Sequence, residues 1–265
     1  MTRITLGQYY PTDSAVHRLD PRVKLLGVIM YITFLLFANH FVAYGIAIVF
    51  IAVIIKISKV PPLMLFRGLR AVMFVLIFAA FINLFLTPGD TVLFSFGFLR
   101  LTTEGILMAF QMVLRLVLLI TGSSILTLTT SPIQLTDGIE ALLSPLKRIK
   151  VPAHDIAMMM TIALRFIPTL ADELDKIMKA QKARGADFET GSLLKRARNL
   201  IPILIPLFIS AFKRADELAT AMEARCYRGD VNRTKMKAMK MSPMDIFALA
   251  VMLVFGGLII ATRFI

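Results

Sequence analysis

Long apolar runs alternate with polar, basic segments along this chain, and the pattern predicts an all-α, polytopic membrane helix bundle with about five spans. The first two runs fall below the about 20 residues that a spanning helix needs, so their ends are approximate. An apolar loop at 91–101 is expected either to pair as a short hairpin or to lie in the membrane interface. The predicted spans are Val23–Ala38, Phe41–Ile55, Leu69–Leu86, Gly105–Thr129 and Ile246–Ala261.

The polar segment between the fourth and fifth spans has a helical pattern of its own. It predicts helices at about 133–146, 153–184 and 192–228, with a bend at Pro168 and an interruption of the last helix near Pro202 and Pro206. Its apolar stretches, 156–167 and 200–212, are too short to cross a bilayer. We therefore expect these helices to lie along the inner membrane surface. The predicted divisions are 1–130 with four spans, 131–242 with the cytoplasmic helices, and 243–265 with the last span.

Basic residues determine the predicted orientation. The chain has 30 lysines and arginines and a net charge of +13, and 27 of these residues fall in the segments 1–24, 56–70 and 130–242. Because cytoplasmic loops of membrane proteins are enriched in lysine and arginine, the N-terminus is predicted inside and the C-terminus outside. The distribution of these residues follows the spans, so the positive charge indicates a membrane protein and not a nucleic-acid-binding protein.

Two helix endings in the polar segment share the pattern Ala-x-x-Ala-Arg-small. The first ends in Ala183-Arg184-Gly185 and the second in Ala224-Arg225-Cys226. An arginine with small neighbours is a fork-shaped cation that can enter an acidic groove on another protein. Each arginine could instead merely complement the negative end of its own helix. Two copies favour the docking interpretation, although a second alignment places Arg228 opposite Arg184.

The sequence lacks the motifs of several enzyme classes. It has no Gly-x-x-x-x-Gly-Lys-Ser/Thr loop, so ATP hydrolysis by this chain is not expected. Its three histidines are scattered, and its one cysteine, Cys226, is interpreted as a small residue beside Arg225. No metal site or cofactor on this chain is predicted. The predicted spans also lack aspartate and glutamate, which argues against a proton- or sodium-coupled carrier.

Arg115 is the one ionisable residue predicted deep inside a span. It could be a snorkelling or internally paired structural arginine. A contact to a partner or to lipid is the functional alternative.

The chain resembles a known family, the transmembrane T components of energy-coupling factor (ECF) vitamin transporters, which are ABC importers. The resemblance rests on the segment His17-Arg18-Leu19-Asp20-Pro21-Arg22-Val23-Lys24 and on the two Ala-Arg-small triplets. The order of spans and cytoplasmic helices extends the resemblance over nearly the whole chain. Cys226 departs from the pattern, because glycine is frequent at that position of the second triplet.

The resemblance implies a scaffold and not an enzyme. Such a component joins two cytoplasmic ATP-binding-cassette ATPases, which bind ATP and magnesium, to a separate small membrane protein, the S component, which binds the vitamin. It implies that Arg184 and Arg225, with their small neighbours, enter grooves on the two ATPases. Arg228 and Arg115 are candidates for secondary contacts. The expected location is the bacterial cytoplasmic membrane, where the lipid bilayer surrounds a multi-pass chain.

Two other classes of function are considered. An autonomous permease would carry a substrate through its own spans, but few polar groups lie within them. A membrane-embedded enzyme would act on anionic lipids or nucleotides at the basic cytoplasmic face, but no acid–base pair or metal cluster supports it.

Overall fold

A computed structural model describes residues 9–87, 91–96, 99–149, 152–186, 188, 192–229 and 239–263. These residues belong to two compact units. One lies within 7–142 and 239–265, and the other lies mainly within 143–238. The first unit contains the helices that are candidates for spanning the membrane, and the second contains the two arginine-bearing helix ends.

The membrane unit is built from helices and one small hairpin. Four of its helices, α3, α4, α5 and α9, are long and apolar enough to cross a membrane, whereas α2 has only 16 residues. The α4 helix begins seven residues earlier than predicted, because Pro62 suits a first helical turn. The elements are α1 (Ala15–Arg18), α2 (Pro21–Leu36), α3 (Phe41–Ser58), α4 (Pro62–Leu86), β1 (Val92–Phe96), β2 (Leu99–Thr102), α5 (Thr103–Thr129), α6 (Pro132–Leu143) and α9 (Pro243–Ala261).

The chain between α4 and α5 forms an antiparallel hairpin, in which β1 pairs with β2. The structure therefore favours the first of the two arrangements expected for the loop at 91–101. Since the sheet has only two strands, the fold class remains an all-α membrane helix bundle.

The α5 helix lies at the centre of this unit and packs against α2, α3 and α4, while α9 packs on α2. The contact between α5 and α2 is close: a Cβ on Gly122 would overlap the ring of Tyr31. The Tyr31 hydroxyl donates a hydrogen bond to the Leu118 carbonyl at 3.1 Å. The rings of Phe50 and Phe255 stack at 4.2 Å between centroids. Aromatic and small side chains therefore bring α2, α3, α5 and α9 together.

Asp20 and Lys24, within the segment that carries the family resemblance, join three helix ends. The Asp20 side chain caps α2 by accepting from the Arg22 N–H, and the Asp20 N–H donates to Asp245 Oδ1 at 2.8 Å. Asp245 belongs to a capping box at the start of α9. The Lys24 ammonium donates to the carbonyls of His17 and Thr129 at 3.0 Å each. These buried polar residues therefore connect the start of α2 to the start of α9 and the end of α5.

The second unit contains a short 3-10 turn (Ser144–Ile149) and two long helices, α7 (Ala153–Ala183) and α8 (Leu193–Ala224). Contrary to the prediction, α8 is continuous through Pro202 and Pro206. It also ends at Ala224, four residues before the predicted end. A proline inside a helix leaves one carbonyl without its usual partner. Pro206 leaves the carbonyl of Pro202 in this state, and the Gln181 side chain of α7 donates to it at 3.5 Å.

Contacts at three levels show that α7 and α8 run antiparallel. His154 of α7 meets Tyr227 beyond the end of α8, Glu173 meets Ser210, and Gln181 meets the backbone of Pro202. The end of α7 therefore lies beside the beginning of α8. Pro168 is likewise accommodated inside the continuous α7.

Candidate functional site

The first arginine-bearing end closes α7 with a Schellman motif, a turn in which two N–H groups bind carbonyls of the last helical turn. The Gly185 N–H donates to the Lys182 carbonyl, and the Ala186 N–H donates to the Gln181 carbonyl, both at 3.0 Å. Gly185 has φ +89°, in the left-handed region that glycine adopts without strain. Arg184 is the cap residue of the helix.

The second end repeats this backbone geometry. The Cys226 N–H donates to the Glu223 carbonyl at 2.8 Å, and the Tyr227 N–H donates to the Met222 carbonyl at 3.0 Å. Cys226 has φ +56°, so a non-glycine residue occupies the left-handed position here. Both Ala-Arg-small triplets thus form the same cap, because the last residue of each triplet must reverse the chain direction.

This shared geometry decides which arginine corresponds structurally to Arg184. Arg225 occupies the same cap position, immediately before the left-handed residue. Arg228 lies three residues further along, outside the helix, and precedes Gly229, another residue of positive φ. The alignment on Ala-x-x-Ala-Arg therefore describes the structure, and the alternative alignment on Arg228 does not.

Both cap arginines lie at the surface of the second unit. Arg184 and Arg225 are exposed, as is Arg228. Within the described parts of the chain, the guanidinium groups of Arg184 and Arg225 make no hydrogen bond or ion pair. The last two turns of α7 carry Lys179 and Lys182 besides Arg184, whereas Asp172, Glu173 and Asp175 lie further back along the helix, so the end itself is basic. An acidic surface is the chemical complement of such an end.

The antiparallel arrangement places the two arginines at opposite ends of the α7–α8 pair. Gln181, one turn before Arg184, lies beside the early part of α8. The remaining length of α8 to Arg225 is about 25 residues, so at 1.5 Å per residue the two ends are ~40 Å apart. One small ligand cannot bind both ends, whereas two protein subunits can.

A polar contact fixes the middle of the pair. Glu173 Oε1 accepts from the Ser210 hydroxyl at 2.6 Å, and Oε2 accepts from Arg214 at 2.9 Å. The Ser210 hydrogen bond, followed by the Arg214 guanidinium, lowers the pKa of the Glu173 carboxyl below its usual value. This carboxylate therefore stays ionised at neutral pH and ties α7 to α8.

Small side chains of α8 line a groove beside α7. Ala211, Ala215 and Ala219 line a groove of about 340 Å³ together with Ile162 and Phe166 of α7. On the outside of α8 large apolar side chains are exposed: Leu200, Ile201, Leu204, Ile205, Phe208, Ile209 and Phe212. The α7–α8 pair therefore combines exposed arginines at its two ends with an exposed apolar face on α8.

Arg115 is hydrogen-bonded within the membrane unit. Its Nε donates to the Tyr44 hydroxyl at 3.1 Å, and a terminal nitrogen donates to the Ala38 carbonyl at 2.7 Å. The Tyr44 hydroxyl donates to the same carbonyl at 3.0 Å. Arg115 therefore binds the turn between α2 and α3 to α5, which agrees with the interpretation as an internally paired structural arginine.

Comparison with known proteins places this geometry in a family. The family model CbiQ, described as cobalt transport protein, matches residues 12–236, which include both caps. The chain belongs to this family. A relative from Clostridium kluyveri, named energy-coupling factor transporter transmembrane protein EcfT, is 55% identical over 98% of this chain and 97% of its own length. Relatives with the same name from Ruminiclostridium cellulolyticum and Streptococcus equi are 51% and 44% identical, over 99% and 97% of this chain and 98% and 95% of their own lengths.

Membership of the CbiQ family confirms the resemblance that the sequence suggested, and with it a role as a membrane component of a transporter. The relatives are named as a transmembrane protein of a transporter and not as an enzyme. The family therefore does not favour an autonomous permease.

Sequence reasoning missed several residues that shape the site. Tyr227 and His154 form a hydrogen-bonding contact, and Gln181 reaches the Pro202 carbonyl. These contacts join residues far apart in the chain, so no local pattern marks them. Asp245 is different, since Ser242-x-x-Asp245 before an apolar run has the spacing of a capping box and could have been recognised.

Proposed function

We propose that this chain is the energy-coupling membrane scaffold of an ECF-type importer in the bacterial cytoplasmic membrane. It links two cytoplasmic ATPase subunits to a separate S component that binds a vitamin or another micronutrient. ATP and magnesium bind to the ATPases, and the lipid bilayer surrounds the spans of the scaffold. The N-terminus and the α7–α8 pair lie on the cytoplasmic side, as the lysine and arginine distribution favours.

The observation that carries this proposal is the pair of identical caps at opposite ends of α7–α8. Each cap presents an exposed arginine beside a residue that reverses the chain, so the guanidinium group extends from a compact turn. Arg184 and Arg225 are thereby available to dock into acidic grooves on two subunits. A separation of ~40 Å along the helices suits two protein domains.

Coupling follows from the way the two helices are joined. When ATP draws the ATPases together, the docked ends move with them. The Glu173 contact to Ser210 and Arg214 holds α7 to α8, so motion at either end changes the position of the exposed apolar surface of α8. The S component packs on this apolar side. Each charge-assisted contact contributes about 1.5–3 kcal/mol, which is enough for anchoring, and apolar contacts must supply the rest.

The proposal is tested with charge reversals at the caps. Arg184→Glu and Arg225→Glu should each weaken association of the co-purifying ATPases by about 10–150-fold, as expected from losing one charge-assisted contact. The double variant should abolish ATPase binding or uncouple hydrolysis from uptake. Lys213→Glu, which reverses an exposed positive charge in the middle of α8 and away from both caps, is the matched control and should bind normally. Unchanged transport in the double variant would refute the docking role.

Reconstitution separates this function from an autonomous permease. The purified chain in liposomes, without ATPases or an S component, should take up no radiolabelled vitamin. Addition of both partners and ATP should restore uptake. Uptake by the chain alone would show that the substrate path lies within its own spans.

A further inference from the structure

The two caps match in their backbone but differ in the residue that follows the left-handed position. Ala186 follows Gly185, and Tyr227 follows Cys226. In both cases the N–H of this residue closes the Schellman turn by binding a carbonyl one turn back. The methyl side chain of Ala186 is too short to reach a neighbouring helix, whereas the phenol ring of Tyr227 is long enough to do so.

The Tyr227 side chain extends towards the beginning of α7. Its hydroxyl lies 3.4 Å from Nε2 of His154, in the first turn of α7. His154 is buried, with 8% of its surface exposed, and its neighbours Ala153 and Ala157 are also buried. The phenol therefore contacts a well-packed part of α7 and not a loose surface residue.

We propose that Tyr227 is a positioning residue, which holds the Arg225 end of α8 against the first turn of α7 through its hydrogen bond to His154. The inference rests on the proposed function, because it concerns how one docking arginine is presented. Tyr227 acts through the backbone: its N–H binds the Met222 carbonyl, so fixing its ring fixes the turn in which Arg225 is the cap.

The same reasoning makes the two docking ends mechanically different. At the Arg184 end, the cross-helix contact comes from Gln181, which precedes the cap and binds the Pro202 carbonyl at 3.5 Å. At the Arg225 end, the contact comes from the closing residue of the cap itself. Removing the Tyr227 contact should therefore loosen the Arg225 end and leave the Arg184 end unchanged.

The single cysteine of the chain provides a direct test. A nitroxide on Cys226 reports the motion of the cap in the full-length protein in detergent, without any partner. Tyr227→Phe and His154→Leu should each raise the ratio of mobile to immobile label by about 2–10-fold, as expected from losing one net hydrogen bond. Because both variants remove the contact between the two residues, the double variant should raise the ratio by less than the product of the two single effects. His154→Gln, which can still hydrogen-bond the phenol, should restore the immobile state.

A matched probe examines the other end. In the variant Ala186→Cys with Cys226→Ser, the label lies on the residue that closes the first cap and leaves Gly185 in place. Tyr227→Phe should leave its mobility unchanged. Equal loosening at both ends, or no loosening at Cys226, would overturn the positioning role.

Binding of the ATPases that co-purify with the unaltered chain provides the second readout. Tyr227→Phe should weaken their association by about 2–10-fold, and His154→Gln should bind normally. If Arg225→Glu weakens binding while Tyr227→Phe loosens the label without affecting binding, the docking function stands and the positioning role is refuted. If Arg225→Glu itself leaves binding unchanged, the proposed function fails, and the positioning role fails with it.

Discussion

Substitution of Gly185 by alanine should disrupt the cap that presents Arg184. The φ of +89° at this position lies in a region that residues with a Cβ rarely adopt. No atom lies within 4 Å of the position that a Cβ would occupy. Any destabilisation must therefore come from the backbone conformation and not from a steric overlap with a neighbour.

The expected size of the Gly185→Ala effect follows from the free-energy cost of the left-handed conformation. A left-handed residue other than glycine costs about 1–2 kcal/mol. The hydrogen bonds donated by the Gly185 and Ala186 N–H groups form only when the chain reverses direction at Gly185. The conformational cost therefore weakens both hydrogen bonds. An opening equilibrium shifted by 1–2 kcal/mol corresponds to about 5–30-fold. Cys226→Gly should act in the opposite direction by removing a strained residue at φ +56°, with a gain below about 1 kcal/mol, because glycine also loosens the unfolded chain.

Hydrogen–deuterium exchange of the full-length protein in detergent measures these effects. In Gly185→Ala, exchange of the amides at 185 and 186 should accelerate about 5–30-fold, while amides in the middle of α7 keep their protection. In Cys226→Gly, the amides at 226 and 227 should exchange more slowly. Gly45→Ala is the matched control, because Gly45 lies inside α3 with open space around it and no positive φ.

The result that would refute this reasoning is unchanged protection at 185 and 186 in Gly185→Ala. The cap would then not depend on the left-handed conformation. Faster exchange throughout α7 would also contradict it, because the physical effect is confined to the last turn.

Two further predictions concern packing and pH. Gly122→Ala should lower the unfolding temperature through an overlap with the Tyr31 ring costing about 1–3 kcal/mol, whereas Gly45→Ala should not lower it; equal unfolding temperatures would contradict the close packing. The lowered pKa of Glu173 means that its contribution to joining α7 and α8 is complete above its usual pKa of about 4.3 and is lost as pH falls through the lower folded value. The distribution of distances between spin labels on α7 and α8 should therefore broaden as the pH falls below that range, and Glu173→Gln should remove this pH dependence.

The sequence by itself determined the features that depend on local composition. Apolar runs predicted α3, α5 and α9 closely, because a helix that crosses lipid must satisfy its backbone internally and expose apolar side chains. The first Ala-Arg-small triplet marked the end of α7 within one residue of Arg184, whereas the predicted end of α8 lay four residues beyond the observed one. Gly185 indicated the end of α7 directly, because glycine is the residue that most often follows the last residue of a helix.

Local rules were misleading where distant contacts compensate for an unfavourable residue. Proline normally interrupts a helix, yet α8 passes through Pro202 and Pro206, and the carbonyl of Pro202 is bound by Gln181 of another helix. Likewise, Cys226 adopts a conformation that favours glycine, because the two hydrogen bonds of the cap offset its strain. A sequence pattern shows that such a residue destabilises its local conformation. It does not show the distant contact that offsets this destabilisation.

Tertiary structure alone decided how the candidate site is arranged. The antiparallel pairing of α7 and α8 places Arg184 and Arg225 at opposite ends, and the shared cap geometry assigns Arg225 and not Arg228 as the counterpart of Arg184. Arg115 is bound to Tyr44 and a carbonyl from another part of the chain. These facts depend on which helix faces meet, and helix faces meet through contacts between residues that are far apart in sequence.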